Sequence, residues 1–299
     1  MLWENLREEE FEGAIKTSGG LCIIPIGCIE KHGQHLPVGT DMFIARRIIE
    51  DATKVEDAMV FDVGAWMGEV SGFHANPTPE TTRTRGCISI TQELMLNILT
   101  ELCNEIYRNG FNKILFVNAH GGNRPILNHF LRCQSYTKKP YALMWTEANN
   151  SWETEADALL KAYKERPEFL NMLTEEDIKT LEKWVKIDPD YGGGHADFRE
   201  TALTIAYDKD LVAEDRYDAE SGLSTHKGDY LEDEGVNIRG AWGKNFPNSY
   251  EGIAPHGASA TIGEAMYKIH VERIIRIIKK LKTEDTCLKL SANLIEDNK

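Results

Sequence analysis

The chain has 299 residues, 41% of them hydrophobic and 27% charged, so it has material for a sizeable core and is not a disordered polymer. Its 34 Lys and Arg against 48 Asp and Glu leave a formal charge of −14, which repels phosphate backbones and anionic lipid and excludes nucleic acid and membrane surfaces as partners. No apolar run approaches the roughly 18 residues of a membrane helix, and the acidic start MLWENLREEEFEGAIK is unlike a secretory signal, so the expected location is the cytoplasm.

Leu21 to Ile26 is a continuous apolar run closed by Gly27, the pattern of a strand buried on both faces, although Pro25 weakens its end. Asp41 to Ala52 carries Ile44, Ile48 and Ile49 at helical spacing, and Met59 to Val63 reads as the next strand. Thr91 to Asn109 is the clearest helix, with Leu94, Ile98, Leu102 and Ile106 recurring every fourth position before the stop signal Gly110. Lys113 to Val117 returns as a strand, followed by a polar loop and a helix that begins near Pro125.

From about 149 to 191 the chain turns polar, with scattered Leu, Tyr and Trp at helical intervals, and reads as a helical insertion over the active face. A glycine run then leads into a helix, and a last helix is expected over Ala258 to Leu281. Alternating strands and helices predict an α/β fold, a three-layer α/β/α arrangement on a mostly parallel sheet, with residues 1–299 forming one domain. The six cysteines contain no close CxxC pair, which argues for reduced thiols over a disulfide or zinc-knuckle scaffold.

Three segments concentrate chemistry. In GCIEKHGQHLPVGTD, Glu30 and His32 lie two apart and share a face if the first strand continues extended, and Asp41 heads the following helix. Carboxylate and imidazole together suit Zn²⁺, Mn²⁺ or Fe²⁺, and a carboxylate can bridge two ions. The competing reading is a polar loop in which Asp41 only caps a helix. Cys28, two residues before Glu30, is a candidate nucleophile for which the sequence offers no partner.

In NAHGGN, two glycines let the backbone turn tightly beside His120, a candidate third ligand that could instead bond only to backbone. In GGGHADFRET, three glycines beside His195 and several charged residues are costly to order unless they shape a site. The second segment follows a strand, and in open α/β sheets ligands gather at the carboxyl ends of strands.

Together, PIGCIEKHGQHLPVGTD, FVNAHGGN and GGHADFRET resemble the three metal motifs of the creatininase family of metal-dependent amidohydrolases, and GAWGKN with GASATIGEAM resembles its closing pattern. The resemblance implies a centre of two divalent ions, Zn, Mn or Fe, with Glu30 and His120 on one, His32 on the other and Asp41 bridging both. Creatinine-hydrolysing members carry a glutamate where this chain has Gly122, and Glu200 looks like the replacement ligand. Such ions bring a bridging water toward neutral pKa and polarise a carbonyl, and the resemblance places His195 as proton shuttle.

The expected reaction is hydrolysis of a small cyclic amide or formamide. The departure at Gly122 and the weak match of the Trp66 to Cys87 segment to the family's intermediate motif lower creatinine itself as the substrate. Where creatinine-hydrolysing relatives clamp the flat ring with tryptophans, this chain has Tyr191, which could still stack in a different pocket. Tyr191, His74 and Asn123 are the candidate substrate-binding residues, and the hydroxyl-rich surroundings of His74 suit a polyol as well as a heterocycle. The alternatives are opening of a ring ketone in an inositol-derived polyol by carbon–carbon cleavage, and a non-catalytic ligand-binding relative. The expected partners are a small-molecule substrate and further copies of the chain, since the resemblance implies homo-oligomers, often hexamers.

Overall fold

A computed structural model describes residues 1–62, 68, 85–149, 155–187, 194–230, 234–238 and 240–293. Strands β1 (Leu21–Ile26), β2 (Met59–Val60), β3 (Lys113–Asn118) and β4 (Ala142–Glu147) form a parallel sheet in the order β2-β1-β3-β4. Ile26 pairs with Asn118, and Asn118 with Glu147, so β1, β3 and β4 end at one level. β2 pairs only with Cys22 and Ile23, which leaves Pro25 without a strand neighbour on that side among the described residues and makes its missing N–H harmless.

The helices are α1 (Phe11–Ser18), α2 (Thr40–Val55), α3 (Gln92–Arg108), α4 (Asn123–Gln134), α5 (Ala156–Glu165), α6 (Pro167–Leu170), α7 (Glu175–Trp184), α8 (Phe198–Tyr207), α9 (Ala241–Asn245), α10 (Ala260–Thr283) and α11 (Thr286–Asn293). Four of these starts follow the usual capping chemistry. Thr91, Thr174, Asp197 and Ser259 each accept a backbone N–H of the helix they precede.

Successive strand residues point to opposite faces, and two cores result. Leu21 and Ile23 of β1 with Leu115 and Val117 of β3 pack under α2, α8 and α10, while Cys22, Ile24 and Ile26 with Ile114 and Phe116 pack under α1, α3 and α4. The chain is therefore a three-layer α/β/α protein. The polar stretch after β4 does form helices, and Leu159, Phe169, Leu181 and Trp184 of α5 to α7 join the first of these cores.

Some elements differ from expectation. β1 stops at Ile26 and does not run on through the acidic motif, and β2 is two residues long among the described residues. The buried stripe of α3 is Met95, Leu99, Cys103 and Ile106: Ile106 is buried as expected, the other three stand one position on from the expected row, and Leu94 is 48% exposed. Both rows of α3 are apolar, so the sheet selects between them. β4 has no counterpart in the sequence reading, since five of its six residues are only half-buried and its polar end hides the strand pattern.

Candidate metal centre

The site lies at the carboxyl end of the sheet, where three separate stretches meet. After Ile26 the chain runs close against the start of α2. A Cβ on Gly27 would lie 3.1 Å from the Asp41 Cβ, so glycine permits that approach. The loop between them carries Glu30 and His32, with the Glu30 N–H on the Val38 carbonyl at 3.0 Å. The second stretch leaves β3 at Asn118, whose amide donates to the His120 carbonyl at 2.8 Å and shapes the turn holding that ring. In the third, Ala196 adopts positive φ (56°) and turns the chain from His195 into α8, where Asp197 caps the helix and Glu200 occupies the first turn.

Glu30, His32, Asp41, His120, His195 and Glu200 are all buried and come together. The two oxygens of Asp41 face different rings. Oδ1 is 3.3 Å from His32 Nε2, and Oδ2 is 3.2 Å from His120 Nδ1. His120 Nδ1 also lies 2.9 Å from Glu30 Oε1, and His32 Nε2 lies 3.6 Å from Glu200 Oε2. His195 Nδ1 is 3.5 Å from Glu30 Oε1, with its ring 4.2 Å from that of His32.

Backbone contacts decide what each ring presents. His32 Nδ1 donates to the Glu30 carbonyl at 3.1 Å, since a carbonyl only accepts, so in the neutral ring Nε2 turns a lone pair toward Asp41 and Glu200. His195 donates through Nε2 to the Lys31 carbonyl at 2.8 Å, leaving Nδ1 toward Glu30. Glu200 Oε2 accepts the Ala196 N–H at 2.6 Å, and His35 Nε2 donates to the Ala196 carbonyl at 2.9 Å, which ties the first stretch to the third.

The electrostatics follow from three carboxylates and three imidazoles sharing a site withdrawn from water. Burial pushes the Glu30 carboxyl up, but the neighbouring His120 and His195 rings outweigh it and hold Glu30 below its ordinary value. In Asp41 the rings of His32 and His120 win over burial in the same way. Burial pulls His32 down, yet Asp41, then Glu200 and Glu30, raise it to about 10, and Glu30 and Asp41 lift His120 likewise. Burial pushes Glu200 up to about 8 against the pull of His32, with Asp197 and Asp41 adding to the rise. In His195 burial prevails over Glu30, so its pKa lies below the ordinary histidine value.

These residues fit divalent cations. His32 Nε2 and Asp41 Oδ2 are buried and make no hydrogen bond among the described residues, although both point among oppositely charged groups. Atoms left without partners in this way are costly unless something else engages them. The described residues contain three sets of donor atoms that lie within 4.8 Å of one another: Cys28, Glu30 and His120; Glu30, His32 and His195; and His32, Asp41 and Glu200. Oxygen and nitrogen donors of this kind suit Zn²⁺, Mn²⁺ and Fe²⁺.

Glu30, His32, Asp41, His120, His195 and Glu200 thus stand together, although Glu30 and His32 meet through a loop and not along an extended strand. Asn123, expected at the substrate, is fully buried, with its amide on the Gly27 carbonyl and on Asn118 Oδ1 at 3.1 Å each. It braces the second stretch against the first. His74 and Tyr191 lie outside the described residues. Two residues to which the sequence reading gave no role adjoin His195, Trp242 from the GAWGKN run and Glu251. The Trp242 ring stands edge-on to it at 5.3 Å and donates to Glu251 Oε2 at 2.7 Å, and the Glu251 backbone bridges that of His195.

Among curated proteins, the chain is 33% identical over 104 residues to the mycofactocin precursor peptide peptidase of Mycobacterium tuberculosis, covering 34% of this chain and 40% of that protein. It is 28% identical over 101 residues to the 3-dehydro-scyllo-inosose hydrolase of Thermotoga maritima, covering 34% and 30%. The match thus spans well under half the length of these relatives. Among solved structures, a creatinine amidohydrolase (creatininase) superposes with a TM-score of 0.66 at 16% identity, covering 93% of this chain and 96% of that one. A manganese creatininase gives 0.65 at 17% over 93% and 97%, and a mutant creatininase of Zn–Zn type gives 0.64 at 16% over the same shares. At these identities the likeness concerns the fold. The family model for creatinine amidohydrolase matches residues 4–278, nearly the whole chain and all three converging stretches, and the chain belongs to the creatininase family.

Proposed function

We propose that the protein is a hydrolase dependent on two divalent metal ions that cleaves a carbon–nitrogen bond in a small cyclic amide or formamide. One observation carries this reading: Asp41 sits with one carboxylate oxygen toward His32 and the other toward His120. Glu30, His120 and Asp41 would hold one ion, and His32, Asp41 and Glu200 the other. Divalent ions held there supply a Lewis acid for the substrate carbonyl and lower the pKa of water.

His195 is the proton carrier in this scheme. Its Nε2–H is committed to the Lys31 carbonyl, so Nδ1, facing Glu30, is the nitrogen that takes a proton from the attacking water and passes it to the leaving nitrogen. Its lowered pKa keeps that nitrogen free of a proton at neutral pH. Trp242, edge-on to His195, would form a wall on the side where this proton is delivered.

The names of the creatinine amidohydrolase model and the mycobacterial peptidase both denote attack on amide-type bonds, which favours carbon–nitrogen cleavage. The likeness to an inosose hydrolase supports a second reading, opening of a ring ketone in a polyol by carbon–carbon cleavage. The test is a panel of cyclic amides, formamides and keto-inositols offered to protein reconstituted with zinc or manganese. Release of an amine or of ammonia supports the first reading. A nitrogen-free, ring-opened carboxylate moves the assignment to the second. No hydrolysis by protein that also takes up no metal leaves a non-catalytic binding relative. The same proposal includes a homo-oligomer, to be read from the mass in solution.

A further inference from the structure

We propose that Cys28 is a metal ligand, its sulfur joining Glu30 and His120 on one cation. This rests on the metal-centre reading above and adds to it a soft donor beyond the carboxylate and histidine set.

Cys28 is fully buried, and its Sγ, a Glu30 oxygen and a His120 nitrogen lie within 4.8 Å of one another. Ligand atoms at about 2.0 to 2.3 Å from one ion occupy a volume of this scale after small side-chain turns. An independent feature points to a cation at the same place. Among the described residues Asp41 Oδ2 is buried without a hydrogen bond and lies 3.2 Å from His120 Nδ1, so it is directed at the same group of donors.

The backbone explains why the sulfur stays there. Cys28 stands between Gly27, which the start of α2 presses closely, and Ile29, whose carbonyl accepts the Ile88 N–H at 2.9 Å. Gly68 closes over it, where an added Cβ would lie 2.9 Å from the Cys28 Cβ. Cys87 behaves differently. It is half-buried, its Sγ accepts the Lys31 N–H at 3.1 Å, and it enters none of the donor groups among the described residues.

As the bond from sulfur to the cation forms, the thiol proton leaves for solvent, and no oxidant or reductant is involved. A thiolate at this position biases the ion toward Zn²⁺ or Co²⁺ over Mn²⁺, because softer ions gain more from sulfur.

The test loads wild-type protein and the Cys28→Ser and Cys87→Ser variants with Co²⁺ and records both bound cobalt and the near-ultraviolet absorption. Wild type and Cys87→Ser are expected to show the intense sulfur-to-cobalt charge-transfer band. Cys28→Ser is expected to lose it while still binding cobalt, and to bind zinc more weakly by roughly tenfold or more, the scale of losing a partner at a metal site. Bound cobalt without the band, or a band that survives Cys28→Ser, overturns the proposal and leaves the metal centre standing. Wild type that binds no cobalt overturns both. Should Cys28→Ser fail to fold, zinc X-ray absorption on wild type decides: a sulfur shell at about 2.3 Å supports the proposal, and a shell of nitrogen and oxygen alone overturns it.

Discussion

His195 is oriented by Lys31: its Nε2 donates to the Lys31 main-chain carbonyl at 2.8 Å, so the residue between Glu30 and His32 selects the ring nitrogen that faces the carboxylates. A proton carrier held this way is separable from the residues that grip the ions. His195→Gln keeps an N–H for Lys31 but cannot carry a proton, so turnover should fall by about 10² to 10⁴ with metal content unchanged. Steady-state kinetics beside elemental analysis checks this. Loss of metal in step with activity would instead make His195 a ligand.

The helix that carries Glu200 is fixed from behind by α10. A Cβ placed on Gly263 would collide with the carbonyl oxygen of Ala202 in α8, and backbone cannot swing aside as a side chain can. Gly263→Ala should therefore destabilise the fold by about 1 to 3 kcal/mol, the range for overpacking a close contact. Urea unfolding measures it, and an unchanged midpoint would show that α8 and α10 are not held at this distance.

His270 sits in α10 fully buried, with neither ring nitrogen hydrogen-bonded among the described residues. Burial, aided by Arg273 and Arg199, lowers its pKa to about 3, so the folded state holds it neutral while the unfolded chain takes a proton below its ordinary value of 6.5. Its contribution to stability is thus complete above pH 6.5 and is lost as pH falls from there toward 3, at up to about 1.4 kcal/mol per pH unit. His270→Leu should flatten this acid limb in unfolding measured between those pH values. An acid limb of the same slope would mean that other groups produce it.

Much of the site was legible because its donors come in short runs whose local spacing carries the chemistry. Glu30 and His32 need only a tight loop to meet, and Asp41 needs only the helix start that follows. Convergence of the first two stretches depends on β1 and β3 ending level, at Ile26 and Asn118, which parallel pairing through a crossover supplies. What stayed hidden depends on distant chain returns. Glu251 reaches His195 through a backbone bridge and holds Trp242 beside it, and no local pattern encodes that pairing. The same limit explains α3. Its two apolar rows satisfy the helical period equally, and packing on the sheet buries the one with Met95 and Leu99.

The most direct measurement is metal content of purified wild type and Asp41→Ala by elemental analysis, with hydrolytic activity taken on the same samples. Wild type should carry a pair of divalent ions per chain, and Asp41→Ala should lose both ions together with activity, because one carboxylate serves both positions. A folded Asp41→Ala that keeps both ions, or keeps full activity, would contradict the shared carboxylate on which the proposed centre is built.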